Sequence, residues 1–103
     1  MIFYSDREYA ALSDEQKREY QKFLADFRAQ EGFLANFVIS DSTLVKPSFQ
    51  ECLDAAKEHL LNSDLKYEIV HIYEHGKLVH EFFYRNYSKP KFSESRFFNY
   101  FKK

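Results

Sequence analysis

The stretch from Tyr67 to Arg85 reads YEIVHIY, EHGK, LVHEFFYR, two β-branched and aromatic runs flanking one Gly76. Such residues fit a pleated, half-buried surface, and a lone glycine between them supplies the positive φ of a tight turn. A β-hairpin constrains this chain more than any other feature, because both of its faces are apolar and both need cover. Gly and Pro occur only twice each in 103 residues, which calls for long elements and short loops.

The hairpin admits two registers. With His75-Gly76 as a two-residue turn, His71 sits opposite His80. Val70, Ile72, Val79 and Phe83 then lie on one side, with Ile69, Leu78 and Phe82 on the other. With Glu74-His75-Gly76 as a three-residue loop, register slips by one, His71 meets Val79, and His80 meets Val70. Both stay open at this point.

Helix signals frame the hairpin. Ser5 with Glu8, Ser13 with Gln16 and Ser48 with Glu51 each fit a capping box. The first predicts a short helix over 6–12. The second opens a helix whose Tyr20, Phe23, Leu24 and Phe27 form one apolar stripe, ended by Gly32 as a left-handed cap. The third opens a helix burying Phe49, Leu53, Ala56 and Leu60, with Cys52 beside them. Phe33–Ser40 reads as a strand, Ser40-Asp41-Ser42 as a turn and Thr43–Lys46 as an extended lead-in before Pro47. Asn86–Ser93 reads as a loop around Pro90. Glu94–Phe101 follows, as a short helix or an edge strand.

The expected fold is α+β: a mainly antiparallel three-stranded sheet in the order helix–strand–helix–strand–strand, helices packed on it, and a short aromatic C-terminal segment. Its strand–helix–strand unit crosses over right-handed if the two strands are parallel. One domain spans 1–103, with an N-terminal helical part (6–31), a core (33–85) and a basic aromatic tail (86–103).

Catalytic sets are missing from this pattern. No glycine-rich phosphate loop, H-E-x-x-H or G-x-S-x-G is present. In a strand Glu81 and its neighbour His80 point to opposite faces, and Cys52 and His59 stand about 10 Å apart on a helix, too far for a nucleophile and its base. A pair of histidines across the hairpin lacks the third ligand a zinc site needs. No enzyme activity, metal or other cofactor is expected. A single cysteine excludes an internal disulfide. No apolar run approaches bilayer length, and MIFYSDREY lacks the basic and apolar regions of a signal peptide, so a cytoplasmic protein without a membrane partner is expected.

Charge is polarised. Net charge is −1, yet residues 84–103 hold six basic groups against one Glu94, for +5, and the remainder carries −6. The helix–hairpin run from Phe49 to Tyr84, YEIVHIYEHGKLV above all, resembles a pattern in small proteins of phages and mobile elements. Some of these are anti-CRISPR inhibitors that bind host nuclease complexes. The resemblance implies an inhibitor that binds a larger nucleic-acid-processing complex.

Three functional expectations follow. The first is a non-catalytic protein-binding module whose acidic body (Asp54, Glu58, Glu68, Glu74 and Glu81, with Tyr73 as an aromatic anchor) occupies a basic channel on the partner. The alternative is a nucleic-acid binder using Arg85, Tyr87, Lys89, Lys91 and Arg96, where rings and cations interleave as base-stacking proteins require. Against it, the tail's phenylalanines equally suit a core. A Phe-rich tail closing a two-fold homodimer is the third expectation.

Overall fold

The computed structural model describes residues 3–94. Their elements are α1 (Asp6–Ala10), α2 (Asp14–Ala29), β1 (Phe33–Phe37), β2 (Ser42–Lys46), α3 (Phe49–Leu61), β3 (Tyr67–Glu74), β4 (Lys77–Asn86) and β5 (Pro90–Glu94). The class is α+β, but the expected three-stranded sheet is wrong. The strands form one five-stranded antiparallel sheet ordered β2-β1-β3-β4-β5.

Both extra strands come from segments whose own residues carry weak strand signals. The lead-in before Pro47 is β2, which folds back on β1 through a turn where Asp41 takes φ 55°. The loop around Pro90 holds β5. Proline survives there because it opens an edge strand, where its missing N–H costs no ladder bond. Phe92 anchors β5 beneath the sheet, its ring 5.9 Å from Phe82 and 5.2 Å from Tyr84. The strand–helix–strand expectation changes with β2. β1 and β3 are antiparallel, and the parallel pair joined through α3 is β2 and β3, which flank β1. The proposed segment over 94–101 is β5's last residue at Glu94 and otherwise lies outside the described residues.

Local chemistry holds the helix starts, but Gly32 does not cap α2: the helix ends at Ala29 with Gln30 as its C-cap, and Gly32, at φ 77°, is the residue just before β1. Ser5 with Glu8 and Ser13 with Gln16 close reciprocal capping boxes, whereas the Ser48 hydroxyl accepts from the Glu51 amide and donates to the Glu51 carboxylate, leaving the box half closed. Two hydrogen bonds from Ser5 hold the Glu8 carboxyl below its usual range. The buried side of α3 is Phe49, Cys52, Leu53, Ala56 and Leu60, and it lies on one sheet face against Ala35, Phe37, Val70, Ile72, Phe82 and Tyr84. The two alanines at the contact, Ala35 and Ala56, have no exposed surface, so helix and strand approach closely.

Helix α2 reaches the opposite face at one end only. An aromatic chain makes that contact: Tyr20, Phe23 and Phe27 stack along α2 at about 6 Å, and Phe27 meets Tyr73 of β3 edge-on at 5.0 Å. Phe3 packs on Phe23, Phe27 and Tyr73 together. The hairpin turn seats against the end of α2, where His75 Nδ1 lies 3.3 Å from the Arg28 carbonyl oxygen.

One buried carboxylate ties the β1–β2 turn to β3. Glu68 has no exposed surface, and its Oε1 accepts from the Ile39 and Ile69 amides at 2.7 and 2.9 Å. Its Oε2 accepts from the Ser40 amide and hydroxyl at 3.0 and 2.8 Å. Glu68→Ala leaves those donors without a partner and is expected to cost about 3 kcal/mol in urea unfolding, with Glu68→Gln losing less. Gly32 gives a second test. At φ +77° it passes so close to β2 that an added Cβ would lie 2.5 Å from the Lys46 carbonyl oxygen. Gly32→Ala should therefore lower stability by more than ~1 kcal/mol in the same assay, because strain and a backbone clash act together.

Candidate functional site

The hairpin adopts neither register open to the sequence. His75 and Gly76 form a two-residue turn with φ of 50° and 77°, so Glu74 faces Lys77 and Tyr73 faces Leu78. A β-bulge then inserts Val79, and from there Ile72 faces His80 and His71 faces Glu81. The three histidines are dispersed as a result. His71 lies on the open face, with Nε2 2.7 Å from Glu81 Oε2. His75 is in the turn. His80 is 2 % exposed under α3, edge-on to Phe49 and in contact with Glu94 through Nε2, without the alignment of a hydrogen bond. Among the described residues no three His, Cys, Asp or Glu side chains converge as a metal site.

The dyad of His71 and Glu81 was out of reach of the sequence reading, since only the bulge brings them opposite. Asn36 is the cross-strand neighbour of His71 on the other side, 6 % exposed, its Oδ1 without a hydrogen-bond partner among the described residues. Tyr73, two residues from His71 on the same face, pairs with Leu34 and Leu78 in the adjoining row. Burial, then the nearby Glu81 charge, raises its phenol above the usual range.

The acidic set does not form one surface. Asp54 and Glu58 are exposed on α3, Asp54 accepting from Gln50 at 2.9 Å. Glu74 is at the hairpin end, and Glu81 pairs with His71 on the sheet face that α3 does not cover. Glu68 is spent internally on the Ile39–Ser40 turn and presents nothing to a partner, a correction that follows from its complete burial. Tyr73 is half-buried beneath Phe3 and Phe27.

The basic and aromatic residues do converge. Arg85 pairs with Tyr67 on one side and Lys91 on the other, so the three occupy one row across β3, β4 and β5. Phe83, two residues from Arg85, shares their face. Tyr87 and Lys89 sit in the β4–β5 turn, Tyr87 75 % exposed. Arg96 lies outside the described residues.

Val38, Ile39 and Val45 are 40 %, 54 % and 42 % exposed beside β2, an edge of the sheet formed by the described residues. Sequence reading missed them by ending its sheet at β1. FLANFVIS and STLVK flank Asp41 as two extended runs, but the second becomes a strand only by pairing with β1. Between α2 and the sheet lies an open groove of about 410 Å³ lined by Phe23, Phe27 and Leu34 with Glu19, Lys22, Asp26 and Gln30.

Cys52 is fully buried in α3, and burial pushes its thiol up from 9.0 to about 11. An acid whose pKa is raised on folding contributes stability that is complete below its unfolded value and is lost as pH rises through the folded one. The difference in unfolding free energy between the wild type and Cys52→Ala should thus be constant up to pH 9 and shrink from pH 9 to 11. A pH-independent difference in denaturant titrations would contradict the buried thiol.

No helix among the described residues is long and apolar enough to cross a membrane. Compared with protein-family models, curated proteins and solved structures, the chain matches none.

Proposed function

We propose that this chain is a small non-catalytic binding module that docks an extended segment of a partner protein along β2. The observation that carries the reading is an edge strand with no further sheet partner among the described residues, beside three exposed β-branched side chains, Val38, Ile39 and Val45. An edge presents a row of free N–H and C=O groups to an incoming strand, and exposed apolar neighbours add side-chain burial to that pairing. Soluble chains usually guard such edges with charge, and here only Lys46 does so within β2. The non-catalytic part rests on the thiol, the chain's strongest nucleophile, which is buried and protonated at neutral pH. The narrower version, an inhibitor of a nucleic-acid-processing complex, rests on the resemblance of the Phe49–Tyr84 run and on exposed Asp54 and Glu58 beside α3.

Affinity capture with the intact chain is expected to recover one stoichiometric protein. Val38→Lys with Val45→Lys should abolish its recovery while changing unfolding free energy by less than ~0.5 kcal/mol, as exposed substitutions do. Equal recovery by wild type and variant would overturn the edge as the docking site. Sedimentation of the free chain separates the other occupant: a dimer that the same substitutions dissociate would make a second copy the strand donor.

A further inference from the structure

The geometry points to a binding site for single-stranded nucleic acid on the sheet face opposite α3, at the end formed by Tyr67, Phe83, Arg85 and Lys91 with Tyr87 and Lys89 beside them. This surface is separate from the β2 edge, since β1 lies between β2 and β3, the site's nearest strand.

The first argument is the state of the rings. Phe3, Phe23, Phe27 and Tyr73 pack on one another, as do Phe82, Tyr84 and Phe92, while Tyr4 and Tyr9 pack on Tyr20, which stacks on Phe23. Tyr67, Phe83 and Tyr87 alone among the described aromatic residues make no ring–ring contact, and all three are at this end of the hairpin. Tyr67 and Phe83 are half-buried on a rigid sheet, diagonal across the β3–β4 pair, so their exposed faces are held in place at little entropic cost. Any base has a π-face that such a ring can accept, which makes the platform tolerant of sequence.

The second argument is charge. Arg85 and Lys91 are exposed, stand directly opposite each other on β4 and β5, and take part in no ion pair among the described residues. Lys89 in the adjoining turn is equally unpaired. The one carboxylate on the neighbouring part of this face, Glu81, is engaged by His71. Glu94, on β5, faces the other way toward His80 and Lys57. Cations flanking unstacked rings match a backbone of phosphates carrying splayed bases, and match an acidic protein less well, because carboxylates would leave both rings uncovered. Strand width also matters: a flat sheet face admits a single strand, whose bases are free to stack, rather than a duplex whose bases are already stacked.

Fluorescence anisotropy with end-labelled oligo-dT and oligo-U of about 15 residues tests this on the intact chain, with a duplex of equal length as comparison. Single strands should bind and the duplex should bind at least roughly tenfold more weakly, since it offers phosphates without free bases. Three cations on phosphates give a slope of log affinity against log salt of about −2 between ~50 and ~200 mM, and Arg85→Glu with Lys91→Glu should reduce it to about −0.7. Tyr67→Ala and Phe83→Ala should each weaken binding roughly tenfold with the slope unchanged. If either fails to fold by circular dichroism, the leucine substitution keeps the apolar body without the π-face and should show the same loss. Absence of binding at ~50 mM salt, equal duplex affinity, or a slope untouched by the charge reversals would each overturn the site. So would a protein partner whose capture requires Arg85 and Lys91 while oligonucleotides do not bind.

Discussion

One inserted residue, Val79, decides what each side of this sheet is. Strand side chains alternate with period two, so the bulge between Tyr73–Leu78 and Ile72–His80 moves every later residue of β4 to the opposite face. Without it, Glu81 would lie against Val70 under α3, and Phe82 would point away from the core. With it, His80, Phe82 and Tyr84 join Val70 and Ile72 beneath the helix, and Glu81 and Phe83 turn outward. The core, the His71–Glu81 pair and the unstacked Phe83 are consequences of the same irregularity. Val79 itself packs at the margin of the core, which is what the extra residue gains in return for its broken ladder.

Burial of polar groups follows a second logic. A carboxylate without exposed surface is tolerable only when donors surround it, and Glu68 meets four, all from backbone or side chain of the β1–β2 turn and of its own strand. This bond set fixes where β2 turns back on β1, and so where the sheet acquires its free edge. The same acidic residue type therefore serves two ends: inside, as a clamp on a turn, and outside on α3, as a solvated surface charge.

The aromatic residues divide in a comparable way. Nineteen per cent of the chain is aromatic, and the described rings are mostly committed to two layers, one joining α2 to Tyr73 and one under α3. Lys57 lies over the Phe82 and Phe92 rings at 5.8 and 5.4 Å, closing the second layer at β5. α2 and its Phe27–Tyr73 contact cover only the turn end of the open face. Among the described residues the far end is left to Tyr67 and Phe83, with Arg85 and Lys91 alongside. An uncovered surface of this composition is where a binding function would be placed, because rigid rings lose little freedom when a ligand covers them.

The helices, their N-terminal serine caps, the buried stripe of α3 and the existence of the hairpin were determined by the sequence alone. Each depends on residues within a few positions of one another: Ser13 and Gln16, Phe49 to Leu60, the glycine at 76. β2 and β5 were not legible, since Thr43–Lys46 and Pro90–Glu94 become strands only because β1 and β4 offer edges to pair with. The acidic set was legible as composition but not as a surface, for burial of Glu68 depends on a turn 28 residues away. Tertiary structure alone decided the bulge at Val79, because a register shift is selected by which side chains α3 accepts beneath it. No local property of YEIVHIYEHGKLVHEFF distinguishes Phe82 as core from Phe83 as surface.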